Sequence, residues 1–85
     1  MTNPPITPQL TAFRAELIDL LGRHFGTLPS EHMLAVASHM VGQMIAMQDQ
    51  RRFTAAAIME LVSRNIEAGN QSAVEGLMNS TSGHA

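Results

Sequence analysis

The 85-residue sequence contains no cysteine, tryptophan, tyrosine or lysine. Without cysteine, the chain can form neither a disulfide nor a thiolate metal site, which are cross-links that stabilise many small domains. A chain of this length forms at most one domain, and it buries a smaller share of its surface than a larger chain does. We therefore expect its stability to come from helix packing or from a partner subunit.

Basic charge is scarce and scattered, and the formal net charge is −2. The basic residues are all arginines: Arg14, Arg23, Arg51, Arg52 and Arg64. This balance predicts no general attraction to nucleic acid or to anionic lipid. Phenylalanine is the only aromatic residue type, so a platform for stacking bases is not expected. The composition argues against a nucleic-acid-binding or membrane-binding protein.

The N-terminal stretch and the most apolar stretch bear on where the protein is expected to be. MTNPPITPQL lacks the basic start and the apolar run of a secretory signal. The most apolar stretch, residues 33–47, is shorter than the about 20 residues that span a bilayer. We expect a cytoplasmic protein with a single helical domain over residues 7–78. The segments outside it, residues 1–6 and 79–85, are predicted to be flexible.

Apolar residues recur at helical spacing in three segments. The predicted helices cover residues 8–25, 30–48 and 55–78. Thr7 and Thr54 are suited to capping the first and third helices, and Gly26 to ending the first. Leu28 and Ser30 are both candidates for the cap of the second. The predicted fold is all-α, a small three-helix bundle-like domain.

The third predicted helix contains one ambiguous position, Gly69. A stop at AGN, residues 68–70, would leave a short fourth helix over residues 72–78. However, the polar and apolar faces continue through Gly69 without a change of phase, which favours one continuous helix. Glu60 and Arg64 are spaced for an ion pair on its polar face. Asn65 borders the apolar stripe, where it could fix the register of a helix pair.

The second predicted helix has a wide apolar arc that fills about half of its circumference. Within this arc lies a methionine seam, stepping alternately by four and three residues: Met33, Ala37, Met40, Met44 and Met47. Unbranched thioether side chains adapt to the shape of a partner. Two helices of similar length cannot easily cover so wide an arc. We therefore expect this helix to have neighbours on more than one side.

Two main interpretations of the methionine seam remain open. In the first, the seam is the intramolecular core against the other two helices. In the second, which we favour, Leu34, Val41 and Ile45 serve that core while the seam faces a second copy of the chain. The second interpretation predicts a homodimer. A seam that binds an unidentified protein partner is a further alternative.

Polar candidates are few. His32 and His39 lie two turns apart, too far to bind one metal ion together from one helix. We interpret them as surface or interface contacts. In QDQRRF, Arg51 and Arg52 beside Phe53 could bind a phosphate or an acidic partner. The competing interpretation is that they end the second helix, with Phe53 packed as a staple before the Thr54 cap.

No glycine-rich phosphate loop, G-x-S-x-G elbow or H-E-x-x-H motif occurs, so no catalytic residue, cofactor or metal site is predicted. The expected function is a non-enzymatic interaction or adaptor module that self-associates through the second helix. The overall character is that of a small bacterial helical protein. One alternative is a small nucleic-acid-associated regulator using Arg51 and Arg52. The other is a metal or small-ligand binder using His32 and His39.

Overall fold

The computed structural model describes residues 1–82, with side chains described as far as Leu77. Three α-helices and no β-strand form within these residues, which confirms the all-α prediction. The helices are α1 (Pro8–His24), α2 (Ser30–Ala46) and α3 (Ala55–Ser82). None of them combines the length and the apolar content that a membrane span requires.

Local capping sets both ends of α1. The Thr7 hydroxyl accepts a hydrogen bond from the Leu10 N–H at 3.1 Å, and Pro8 occupies the first helical position, where no N–H is needed. Arg23 forms an ion pair with Asp19 at 3.3 Å. Just beyond the helix, Gly26 has φ +93°, a left-handed conformation that favours glycine. The predicted start and stop signals of α1 are confirmed.

α2 has a weaker start and an earlier end than predicted. Its N-cap is Pro29, which provides no side-chain hydrogen bond, so neither Leu28 nor Ser30 is the cap. The helix ends at Ala46, two residues before the predicted end at Gln48. Beyond it, the Asp49 carboxylate accepts the Arg51 N–H at 3.0 Å. This local turn competes with further helical hydrogen bonding.

α3 is continuous through Gly69, as the phase of its two faces predicted. The Thr54 hydroxyl caps it by accepting the Ala57 N–H at 3.1 Å, and Arg64 pairs with Glu60 at 3.6 Å. The helix reaches Ser82, beyond the predicted end at residue 78. Residues 83–85, the remainder of the segment predicted to be flexible, lie outside the described residues.

The first residues of the chain are bonded to α3. The Arg64 guanidinium donates to the Met1 carbonyl at 2.9 Å, and the Asn65 amide donates to the Asn3 side-chain oxygen at 2.9 Å. The same Asn65 amide also donates to the Leu61 carbonyl at 2.9 Å. The start of the segment predicted to be flexible, residues 1–6, therefore makes two long-range hydrogen bonds to α3, and its flexibility stays a prediction.

The chain divides into two units, Pro4–Gln48 and Met1–Asn3 with Asp49–Ala85. In the first unit, α1 and α2 do not pack against each other along their lengths, and neither contains a buried residue. In the second unit, Ile58 is 2% exposed, the one fully buried apolar side chain among the described residues. The prediction of one bundle-like domain over residues 7–78 stays a prediction.

Candidate functional site

The methionine seam lies along the full length of α2. At 100° per residue its members fall within about 40° of a common line, and from Met33 to Met47 the line measures about 21 Å. Met40 and Met44 are 51% and 50% exposed, and Met47, the C-terminal cap, is 80% exposed. Ala37 is also exposed, and Met33 is half-buried. The seam is thus an apolar surface open to solvent over most of its length.

The remainder of the apolar arc is open as well. We expected Leu34, Val41 and Ile45 to serve an internal core, but Leu34 is 68% exposed and Val41 is also exposed. Ile45 is the one member of this group that is half-buried. No side-by-side packing with α1 covers the arc, because the two helices are not in contact along their lengths. The expected division of α2 between a core side and a partner side is therefore wrong for Leu34 and Val41.

The polar edge of α2 contains no assembled binding site. His32 and His39 are exposed, and their positions on one helix place them about 10.5 Å apart along the axis. Within residues 1–82 no group of three histidine or acidic side chains is close enough to hold a metal ion. Near this edge, the Ser38 hydroxyl donates to the Leu34 carbonyl at 2.8 Å. Among the described residues, neither histidine belongs to a group of three potential metal ligands.

The turn between α2 and α3 is organised by Asp49. Its carboxylate accepts hydrogen bonds from the Arg51 backbone N–H at 3.0 Å and from the Arg51 side chain at 3.3 Å. Its carbonyl accepts the N–H groups of Arg52 and Phe53, both at 3.0 Å. Asp49 therefore offsets the charge of Arg51, which weakens the case for a phosphate site here.

Arg52 and Phe53 complete this turn. The Arg52 guanidinium lies over the Phe53 ring, 5.2 Å from its centroid, a cation–π geometry. Phe53 is half-buried, and it precedes the Thr54 cap, while the buried Ile58 follows four residues after that cap. These are the two positions of a hydrophobic staple. The arrangement favours the structural interpretation of QDQRRF, and the two arginines remain exposed.

Sequence reasoning missed the role of Arg64 and Asn65 in holding the start of the chain. Asn65 is exposed, and its amide donates to Asn3 and to Leu61 of its own chain. These bonds within the chain are an alternative to the predicted role of Asn65 in setting the register of a helix pair. No pattern in the sequence connects Met1 and Asn3 to a helix some 60 residues later.

Comparison of the chain with protein-family models, with curated proteins and with solved structures finds no match. The functional interpretation therefore depends on the surface features described above.

Proposed function

We propose that the protein is a non-enzymatic helical interaction module that forms a homodimer through the methionine seam of α2. The observation that carries this proposal is the exposure of the seam, with half or more of the Met40, Met44 and Met47 side chains open to solvent. Contiguous apolar surface of this kind marks interaction sites in soluble proteins. The proposal assigns no catalytic residue, cofactor or metal to the chain, and it places the protein in the cytoplasm.

The accessible surface of a single copy supports the proposal. The chain exposes 7378 Å². A folded monomer of 9.2 kDa exposes about 4,900 Å² on the general scaling of area with mass. One copy therefore leaves about 2,400 Å² more surface open than this scaling gives, and a second copy on the seam would cover part of it.

The fraction of surface covered leads to the same proposal. An unfolded chain of this mass exposes about 13,300 Å², so folding of one copy covers about 45% of it. Domains of only 60 residues already cover about 60%. Because the chain has no cysteine to compensate for a small core, we expect association to provide the missing burial.

The charge pattern of α2 favours a second copy as the occupant. Glu31 is the one formally charged residue in Ser30–Ala46, and it lies on the side opposite the seam. The seam therefore has no charge that would need a complementary charge on a different protein. Two identical apolar faces can cover each other without like-charge repulsion, and methionine side chains can adjust to fill the contact.

Sedimentation equilibrium at micromolar concentration tests the proposal. We expect a dimer for the wild type and at least about 100-fold weaker association for Met40→Glu/Met44→Glu, because burying unpaired carboxylates costs several kcal/mol. Ser38→Glu is the matched control, since it adds a charge to the same helix on the side away from the seam. Glu is as good a helix former as Met and a better one than Ser, so circular dichroism should show α2 retained in both variants.

Two results would contradict the proposal. A wild type that is strictly monomeric would make the methionines an exposed surface without a self-association role. Equal weakening by Ser38→Glu and by the double variant would show that the seam is not the contact. If the chain instead binds DNA in a salt-dependent way that Arg51→Ala/Arg52→Ala abolishes, the nucleic-acid-associated alternative would replace it.

A further inference from the structure

The methionine seam has a residue pattern that specifies an orientation. We infer that α2 pairs with α2 of a second copy in an antiparallel arrangement, with the two-fold axis passing between Ala37 and Met40. This inference depends on the proposed function, because it describes the geometry of the same dimer. The midpoint of Ser30–Ala46 is Ser38, so an axis at this place gives two helices of 17 residues almost complete overlap.

Antiparallel pairing about this axis sets small residues against large ones. Met40 faces Ala37 of the second copy, and the two-fold axis repeats this contact. Met33 faces Met44 of the second copy, and the exposed Met47 reaches the start of the second α2, at Ser30. Each large side chain of the seam thus meets either a small residue or a flexible thioether. Dense packing needs this complementarity.

A parallel pair fits the same residues less well. It would place Ala37 against Ala37 between two layers of paired methionines, which leaves a narrow gap at the centre of the contact. Such a gap loses dispersion contacts along its lining. Parallel neighbours also bring together helix ends of the same partial charge, whereas antiparallel neighbours bring opposite ends together.

The residues beside the seam fit the same orientation. Leu34, 68% exposed, and Val41 lie on one side of the seam, and Val36, 65% exposed, lies on the other. In the antiparallel pair Leu34 faces Val41 of the second copy, and the axis again repeats the contact. Val36 faces the side chain of Gln43 of the second copy. Antiparallel pairing therefore covers the exposed apolar side chains on both sides of the seam.

The cysteine-free sequence allows a direct test with single cysteines. The two variants are Met33→Cys and Met44→Cys, one of them labelled with ¹⁵N so that mixed and homotypic dimers differ in mass. Each is first shown to be dimeric under reducing conditions by sedimentation. The separate samples and an equimolar mixture are then oxidised, and the disulfide-linked species are identified by mass spectrometry.

The antiparallel pair predicts a disulfide in the mixture, joining position 33 to position 44, and little or none in either separate sample. Positions 33 and 44 are eleven residues or about 16.5 Å apart along a helix, so homotypic partners are out of reach in this arrangement. A disulfide needs Cα atoms within about 7 Å. As a control, Gln43→Cys and His39→Cys, on the polar edge, should give no efficient cross-link in separate samples.

Each outcome has a separate meaning. Homotypic disulfides at both positions with no mixed product would overturn the antiparallel inference and show a parallel pair, leaving the proposed dimer intact. Reduced variants and wild type that sediment as monomers would overturn the proposed function together with this inference. A dimer that forms no disulfide in any of the three samples would place the contact elsewhere and overturn the inference.

Discussion

Single threonine side chains fix where two of the three helices begin. The hydroxyls of Thr7 and Thr54 each accept a backbone N–H at 3.1 Å, from Leu10 and Ala57. These N–H groups lie in the first helical turn and have no partner within the helix. α2 lacks such a cap, so the start of α2 depends on Pro29 and on the position of Glu31 near the positive end of the helix dipole.

The Thr54 cap provides a prediction at the residue scale. Thr54→Ala removes the acceptor for the Ala57 N–H, and we expect the free energy of unfolding to fall by about 1 kcal/mol. Thr54→Ser keeps the hydroxyl and should remain close to wild type. Urea denaturation at one fixed protein concentration measures both. Equal losses in the two variants would show that the hydroxyl is not the source of the stability.

Residue-scale features that depend on near neighbours could be predicted from the sequence. Both threonine caps, the glycine after α1 and the Glu60–Arg64 ion pair follow from residues at most four positions apart. The bonds from Arg64 to Met1 and from Asn65 to Asn3 could not be predicted, since they join positions more than 60 residues apart. Nothing in the local pattern selects one asparagine or carbonyl from many.

At the scale of the element, α3 shows how phase can outweigh composition. Gly69 lies inside Ala55–Ser82, in a sequence that contains an apparent stop signal. The helix continues because the residues after Gly69 keep the same polar and apolar faces as those before it. A Cβ atom built at Gly69 would meet no other atom within 4 Å. In the protomer, the glycine therefore provides no close approach for another backbone.

This free space leads to the element-scale prediction. Gly69→Ala should raise the free energy of unfolding by about 1 kcal/mol, because alanine has the higher helix propensity and meets no obstacle. Urea denaturation monitored by circular dichroism checks the change, and sedimentation shows whether association is unaffected. A loss of stability, or weaker self-association, would reveal that another backbone approaches Gly69 in the assembled state.

For α2, the apolar arc could be predicted from the sequence, but its exposure to solvent in the protomer could not. The spacing of the methionines follows directly from helical geometry, so the seam could be read before any coordinates. The assignment of Leu34 and Val41 to an internal core failed, because periodicity specifies which residues share a face and not which element covers that face. The end of α2 at Ala46 was missed for a similar reason. Asp49 and Arg51 form the turn that follows, and both residue types also occur within helices.

At the scale of the whole molecule, stability and association are expected to be linked. A chain that covers about 45% of its unfolded surface as a single copy has little burial to offset the loss of conformational entropy on folding. Anything that binds the folded state raises its stability by mass action, and a second copy is such a ligand. The folded dimer should therefore become more stable as the protein concentration rises.

Thermal unfolding at several concentrations tests this linkage. A tenfold increase in protein concentration should raise the melting temperature by about 3–6 °C, because it contributes about 1.4 kcal/mol per dimer. The Met40→Glu/Met44→Glu variant should melt at a lower temperature that does not depend on concentration. A wild-type melting temperature that stays constant over a hundredfold range would mean that folding does not require association.

The turn that exposes Arg51 and Arg52 acquires a different significance in a symmetric pair. Every surface of one protomer is then displayed twice. A weak attraction between this turn and an acidic group would be multiplied into avidity wherever a target carries two such groups within reach of both copies. Dimerisation would in this way strengthen binding to targets that carry the acidic group more than once.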